Sequence, residues 1–149
     1  MTNANMIMDA VCAEIVKQDP DAAVYVNFQP SDFERPSHYI ECASETVTSD
    51  NRLLVSVSSH FTVTSFLPVD EYGESDQQDL LRKQALVMSI FRKGYIRVGD
   101  RAIKVQASTG GYLPDRVFVD FQTGYFDDRG EWEPKNEPMD NIKINIGKG

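Results

Sequence analysis

A run of alternating residues between positions 53 and 67 constrains the fold more than any other stretch of the chain. The residues at odd positions are mostly apolar: Leu53, Val55, Val57, Phe61, Val63 and Leu67. The residues at even positions are largely Ser, Thr and His. Successive side chains of a strand point to opposite faces, so the run predicts a strand with one buried face. An Asp50-Asn51 turn precedes it and can reverse the chain. We therefore expect a long antiparallel hairpin, Ser37–Ser49 with Arg52–Leu67, whose odd-numbered residues from Leu53 to Val63 face the core.

Two helical patterns flank this hairpin. Ile7, Val11 and Ile15 recur four residues apart, after Asn3 or Asn5 as a cap and before Pro20 as a stop. A second helix follows Ser75-Asp76-Gln77-Gln78, which has the form of a capping box, and Gly94 ends it. Residues at helical spacing indicate its core face: Leu80, Leu81, Gln84, Val87, Met88 and Phe91.

The remaining segments predict shorter strands. We expect one at Ala22–Phe28, a second and shorter hairpin of Tyr95–Val98 with Ala102–Ala107, a loop at Gly110-Gly111, and a last strand at Val117–Tyr125. This order favours an α+β fold: a single antiparallel β-sheet with a long hairpin and two helices packed on one face.

The predicted domain covers residues 1–126, and residues 127–149 form a polar C-terminal extension. Pro and charged residues predict disorder from Asp127 to Asn141. The terminal Ile142-Lys143-Ile144-Asn145-Ile146 alternates strictly and predicts a strand. A lone strand cannot satisfy its backbone groups, so we expect it to pair with an edge of its own sheet, a neighbouring subunit or another protein.

Composition excludes several classes of function. The 149 residues carry a net charge of −8, which disfavours tight binding to a phosphate backbone. Cys12 and Cys42 are predicted to be buried thiols in a reducing compartment, since two cysteines make no disulfide framework. The N-terminus lacks the positive charge of a signal peptide, and no apolar run reaches membrane-spanning length.

No constellation of residues predicts catalysis, a metal or a cofactor. His38 and His60 fall on paired strands with Cys42 nearby, but the spacings of a zinc site and further ligands are missing. Glu41 and Glu45 are expected on a solvated face rather than as an acid–base pair. Gly110-Gly111 precedes no helix that could bind a phosphate, and the acidic residues lack the register of an EF-hand.

One segment and its surroundings resemble a known family. Phe33-Glu34-Arg35-Pro36-Ser37-His38-Tyr39-Ile40-Glu41 follows a helix, and the hairpin, one helix and a Val117-Phe118-Val119-Asp120-Phe121 strand come after it. This arrangement, from about Met6 to Phe126, is similar to the small tail terminator (tail completion) proteins of tailed bacteriophages and prophages. The resemblance implies a ring, typically a hexamer, that caps the tail tube, stops tube polymerisation and offers a surface to the head-side connector.

The resemblance also implies partners and a location. The subunits would contact one another, the tail tube protein and the head-side neck protein, at the head–tail junction of the virion and in the host cytoplasm during assembly. DNA would pass through the acidic ring without specific binding. Candidate interface residues are Arg35, Leu86, Ile90, Ile142, Ile144 and Ile146. Leu86 and Ile90 could equally belong to a broad core face, and Arg35 to a salt bridge at the start of the hairpin.

Two other functions compete with this reading. One is another neck or head–tail joining protein of the same architecture. The other is a small enzyme or ligand-binding module of α+β fold, in which His38 and His60 would be central.

Overall fold

The computed structural model describes residues 2–128. Its elements, in chain order, are α1 (Ala4–Gln18), β1 (Ala23–Val26), β2 (Ser37–Ser49), β3 (Leu54–Phe66), α2 (Gln77–Ser89), β4 (Tyr95–Val98), β5 (Arg101–Leu113) and β6 (Arg116–Asp128). The predicted disorder is wrong for residues 127 and 128, which belong to β6. The rest of that segment, 129–141, and the predicted strand at 142–146 lie outside the described residues.

The strands form one six-stranded sheet in the order β1-β2-β3-β6-β5-β4. The α+β class and the single sheet are confirmed, but the prediction that the sheet is antiparallel throughout is wrong. Strand β1 pairs parallel with β2, placing Ala23 opposite Ser37 and Val26 opposite Ile40. The loop between them returns the chain to the end of the sheet where β1 began, which makes a parallel pair.

Strands β2 and β3 pair antiparallel, from Ser37 opposite Phe66 to Ser49 opposite Val55. The pairing is less regular than a simple hairpin, because its register shifts between Cys42 and Ser44. The odd-numbered residues from Val57 to Val63 are buried, as the alternation predicts. Leu53 is the exception, since it precedes the strand and is 72% exposed.

The predicted shorter hairpin is confirmed, because β4 pairs antiparallel with the start of β5, from Tyr95 opposite Lys104 to Val98 opposite Arg101. Strand β5, however, is longer than predicted. Strand β5 continues through Gly110-Gly111, where a loop was expected, and pairs with β6 up to Leu113 opposite Arg116. A Cβ on Gly110 would lie 2.8 Å from Cβ of Phe118 on β6. Glycine is therefore present because the backbones approach closely, with a register shift beside it, rather than because the strand ends.

Both helices begin at a side-chain cap. Asn3 Oδ1 accepts a hydrogen bond from the Met6 N–H at 2.9 Å, as predicted. Helix α2 is capped by Asp76, whose Oδ1 accepts from the Gln78 N–H at 2.9 Å, and not by the first residue of the predicted capping box. That residue, Ser75, instead donates to the Pro68 carbonyl at 2.9 Å. The helix ends at Ser89, earlier than predicted.

The core lies between the helices and one face of the sheet. Side chains from both helices and from β2 to β6 share one apolar cluster, so both helices cover the same face. At its centre, the ring of Phe121 stacks on Phe61 and on Phe91, each with 4.7 Å between ring centroids. This arrangement confirms the expected packing of two helices on one face, and among residues 2–128 no helix covers the opposite face of the sheet.

The first residues of the chain are bonded to the end of the last strand. The Thr2 N–H donates to Asp127 Oδ2 at 3.2 Å, and the Tyr125 hydroxyl donates to the Thr2 carbonyl at 3.1 Å. Arg101 at the start of β5 donates to the Thr2 hydroxyl at 3.2 Å and lies 3.6 Å from Asp127 Oδ1. Helix α1 is thereby positioned by β5 and β6.

Candidate functional site

The most polar buried cluster surrounds His38. Its Nδ1 lies 2.8 Å from Ser65 Oγ, and its Nε2 lies 2.8 Å from Asp19 Oδ2. Lys83 of α2 donates to the same Asp19 oxygen at 2.6 Å. Because a carboxylate only accepts, His38 Nε2 carries the proton and Nδ1 accepts from the Ser65 hydroxyl. The cluster joins β2, β3, the end of α1 and the middle of α2.

Burial and hydrogen bonds together determine the charges in this cluster. It lowers the pKa of His38, and nearby Lys83 lowers it further, although the hydrogen bond to Asp19 acts in the opposite direction. Burial alone would raise the pKa of Asp19, but the hydrogen bonds from Lys83 and His38 outweigh it, so that pKa lies below its ordinary value. The imidazole is therefore neutral, and Asp19 and Lys83 form an ion pair above it.

The residue types Ser65, His38 and Asp19 are those of a hydrolytic triad. The serine and the histidine are each 1% exposed, however, and a nucleophile must reach its substrate. Asp19 is also bound by Lys83, which ties the helices together. The contacts are those of a buried hydrogen-bond network that positions three elements.

The residues proposed from sequence as a His/Cys site are not brought together. His38 is opposite Ser65 and faces the helices, whereas His60 is opposite Ser44 and is exposed on the other face. Cys42 is half-buried, and burial raises the pKa of its thiol. Within residues 2–128, no group of three His, Cys, Asp or Glu side chains is placed to hold a metal ion.

The two glutamates of β2 do not form a pair either. The register shift places Glu45 on the helix side, where it accepts a hydrogen bond from the buried Ser59 hydroxyl at 3.2 Å. Glu41 lies before the shift, opposite Thr62, and is exposed on the face without helices. Two carboxyl groups on opposite faces of a sheet cannot share an acid–base reaction.

Arg35 lies at the centre of a second cluster. It donates to the Leu67 carbonyl and to Asp115 Oδ2, both at 2.9 Å. Its guanidinium lies 4.9 Å from the ring centroid of Phe33 and 5.5 Å from that of Phe66. The Phe-Glu-Arg-Pro segment thus ties the start of β2 to the β5–β6 turn. These contacts give Arg35 the structural role that the sequence left open beside an interface role.

Asp115 anchors this cluster through two arginines. Arg116 binds it with Nε at 2.8 Å and Nη2 at 2.9 Å, which together with Arg35 satisfies both carboxylate oxygens. The hydrogen bonds from Arg116 lower the pKa of Asp115 to about 2, although its burial acts against this. Both guanidinium groups are therefore bound to this carboxylate.

The two predicted interface residues of α2 lie against the core. Ile90 is only 9% exposed and belongs to the apolar cluster, and the half-buried Leu86 packs against that cluster. The broad core face that the sequence allowed for is thus observed. The other three candidates, Ile142, Ile144 and Ile146, lie beyond the described residues.

Two long strand edges are open in the described part of the chain. Strand β1 covers β2 only from Ser37 to Ile40, and β4 covers β5 only from Arg101 to Lys104. Among residues 2–128, no strand pairs with the outer side of β2 from 41 to 48 or of β5 from 106 to 113. Residues 106–109 of β5, which precede its register shift, carry no charge and no proline, two common protections of an edge against pairing.

The sheet face without helices is polar and nearly neutral. A shallow depression of about 590 Å³ lies on it, at the middle of the four long strands. Most of its lining offers hydroxyl, amide or imidazole groups: Ser44, His60, Thr62, Gln106, Ser108 and Gln122. Asp120 is its one lining acid, and it accepts a hydrogen bond from the Thr62 hydroxyl at 2.9 Å.

No protein-family model matches the chain, and no curated protein matches it in sequence. Neither helix of residues 2–128 has the length and apolar character that crossing a membrane requires.

Sequence reasoning missed Asp19, Lys83 and Ser65 as partners of His38. A usable signal was present, because His38 shares the parity of Ile40 and is thereby directed into the core. A buried histidine requires hydrogen-bond partners, although the sequence does not say which residues supply them.

Proposed function

We propose that this protein is a structural component of a bacteriophage or prophage tail, a tail terminator that forms a ring on the end of the tail tube. The proposal rests on the resemblance carried by residues 33–41 and by the order of the elements. The structural observation that supports it is the pair of open edges on β2 and β5, because a ring needs two different surfaces that fit each other.

The directions of the two edges suit such a contact. Strands β2, β3, β6 and β5 alternate in direction, so β2 and β5 run opposite ways. Placing the free edge of β5 beside the free edge of β2 in the next copy continues this antiparallel alternation. The contact is heterologous, using a different surface on each partner, and heterologous contacts close into rings when the rotation allows.

A register with matching faces exists for this pairing. If Thr46 lies opposite Ser108 of the neighbouring copy, then Val47 lies opposite Ala107. The latter two residues face the helix side, where Val47 is 59% exposed in the single copy. Residues 45–48 and 106–109 pair in this register between the register shifts of β2 and β5 and clear of β4.

The register also implies a strand tilt typical of closed barrels. Within one copy, Thr46 is level with Lys104, through Ser58 on β3 and Gly124 on β6. Ser108 is four residues beyond Lys104 on β5, so this pairing shifts the next copy by four residues along the strands. Each copy contributes four strands, β2, β3, β6 and β5, to this count. One residue of shift per strand is the ratio in eight-stranded barrels of shear eight, whose strands tilt by about 36°.

The helix-free face would then line the channel, with the helices outside. Its side chains are mostly hydroxyl and amide groups. The acids Glu41 and Asp120 are balanced by Lys104 and Arg97, and Arg116 on the same face is bound to Asp115. Such a surface offers few cations to bind phosphates, so DNA would pass without specific binding. One end of the ring would match the last ring of the tube, and the other would meet the head-side neck protein.

The test is to mix the protein with purified tail tubes and image the tube ends. A ring of about six copies at one end of each tube is expected. The protein would be located at the head–tail junction of the virion and in the host cytoplasm during assembly. Absence from tubes, with binding to isolated neck rings, would instead indicate another head–tail joining protein. Binding to neither, with a small-molecule ligand found, would indicate the enzyme or ligand-binding alternative.

Cysteine pairs test the contact between copies. In rings assembled on tubes, Thr46→Cys with Ser108→Cys should give a ladder of disulfide-linked copies under oxidising conditions. Thr46→Cys with Lys104→Cys is the matched control, because β4 covers β5 at Lys104. Equal crosslinking of the two pairs would contradict the proposed edge contact.

A further inference from the structure

The turn between β2 and β3 presents an exposed leucine. Leu53 is 72% exposed, although its backbone is well held: its N–H and that of Leu54 donate to Asn51 Oδ1 at 2.8 and 2.9 Å. The Asp50 and Asn51 N–H groups donate to the Leu54 carbonyl at 3.1 and 3.2 Å. Because hydrogen bonds already order the backbone of this turn, the exposed leucine can enter a contact with little further loss of conformational entropy.

A groove of about 280 Å³ runs along β4. Its apolar floor contains Ile90 and Ile96, which are 9% and 4% exposed. Tyr95, Ile96 and Arg97 all line it. Since their side chains alternate between the two faces, the groove must reach the backbone edge of β4. Glu14, Gln18, Ser89 and Lys93 complete its lining.

The proposed ring brings these two features together, and the inference therefore rests on that ring. With Thr46 opposite Ser108, Thr48 lies opposite Gln106 of the neighbour. Beyond that point β5 is already occupied, because the Val105 N–H donates to the Gly94 carbonyl at 3.0 Å and β4 follows. The neighbouring β2–β3 turn must therefore abut the start of β4.

The lateral position of the turn also fits. In the copy that brings the turn, β2 lies beside β5 of the neighbour, and β3 lies one strand further away. Adjacent strands are about 4.8 Å apart. In the neighbour, β4 also lies beside β5, so the outer edge of β4 and its groove lie at the same distance from β5 as the start of β3. The turn carries Asp50 and Arg52, and the groove carries Glu14, Lys93 and Arg97, so each surface offers both an acidic and a basic group for pairing across the contact.

We infer that Leu53 of each copy inserts into the groove between Ile90 and Ile96 of the next copy. The occupant of the groove is a second copy of this chain. The insertion adds a directional contact to the strand pairing, because the apolar side chain and its receptor lie on different surfaces of the same subunit.

A second cysteine pair tests this inference separately from the ring. Leu53→Cys with Lys93→Cys should form disulfides between neighbouring copies in rings on tubes. Leu53→Cys with Arg82→Cys should not, since Arg82 projects from α2 away from the groove and is 72% exposed. If the 46/108 pair gives a ladder and the 53/93 pair does not, the inference is wrong and the ring stands. If neither pair crosslinks, the contact between the edges of β2 and β5 is wrong, and the inference is wrong with it.

A charge substitution gives an independent readout. Leu53→Asp should raise the protein concentration needed for half-maximal capping of tubes by about tenfold or more, because a buried leucine is replaced by a charge. Tyr72→Asp is the matched control, since Tyr72 is a large side chain, 79% exposed, in a different loop. Equal effects of the two substitutions, with both variants folded, would overturn the inference.

Discussion

Asp19 at the end of α1 and Lys83 in the middle of α2 form an ion pair with 2.6 Å between Oδ2 and Nζ. The pair lies directly beside the buried ring of His38 and joins the helices to each other and to the sheet. Replacing Lys83 by Met should lower the free energy of unfolding by about 1–3 kcal/mol, because Asp19 loses a charged hydrogen bond in a largely buried place.

Urea denaturation at neutral pH measures this effect. The matched control is Arg82→Met, the adjacent residue, whose ion pair with Asp79 is exposed on both sides. That substitution should cost under about 1 kcal/mol. Equal costs for the two variants would mean that the buried pair contributes no more than a surface pair.

The neutral His38 predicts a loss of stability in acid. Its pKa in the folded protein is lowered, so the unfolded chain takes up a proton first as the pH falls. The contribution of the neutral His38 to the free energy of unfolding is therefore complete above the ordinary histidine pKa of about 6.5 and decreases below it. Asp19, whose pKa is also lowered, adds a loss as the pH falls below its ordinary value of about 3.9.

Unfolding free energies measured between pH 7.5 and 5 test this prediction. His38→Asn should flatten the dependence on pH, because it removes the buried imidazole. A steeper dependence in the His38 variant would contradict the assignment of a neutral ring.

Arg35 is predicted to stabilise the single subunit. Arg35→Ala removes two hydrogen bonds and the stacking on two phenylalanine rings, and should cost about 1–3 kcal/mol. Thermal melting of dilute protein measures this, with the exposed Arg92→Ala as control. A variant that melts normally and yet fails to cap tubes would instead make Arg35 an interface residue.

Val57 and Val47 lie opposite each other on paired strands but differ in exposure, at 6% and 59%. Val57→Ala should cost about 1–3 kcal/mol because it opens a cavity in the core. Val47→Ala should change the stability of a single copy by under about 0.5 kcal/mol. Denaturation curves of the two variants compare them directly, and similar losses would show that the burial is misassigned.

Deletion of residues 138–149 tests the isoleucine pattern at positions 142–146. We expect the melting transition to stay nearly unchanged while ring formation or tube capping weakens, because a strand added to a neighbouring edge contributes only in the assembly. Unfolding of the truncated chain would place the segment in its own core sheet. No effect on stability or on assembly would make the alternation coincidental.

The elements with one buried face were predictable from local pattern. The parity of β3 and the cap of α1 at Asn3 follow from residues adjacent in sequence. The extent of β5 did not, because Gly110 reads as a break unless the close approach of Phe118 is known. The parallel pairing of β1 was also hidden, since short strands contain no signal for direction.

The clusters of the candidate site were less predictable than the strands. His38 meets Asp19, Ser65 and Lys83, and Arg35 meets Asp115, 80 positions along the chain. Such contacts depend on which elements the sheet order brings together, and a single sequence does not record that. The open edges were likewise invisible, because a free edge is defined by the lengths of neighbouring strands.

The bonds from Thr2 to Asp127 and Tyr125 also set the order in which a newly made chain can fold. Among the described elements, α1 is synthesised first and β6 last. Strand β6 nevertheless binds the start of α1 and lies between β3 and β5 in the sheet. A nascent chain released before β6 would lack both. A prematurely ended copy would therefore expose an unfinished sheet to proteases.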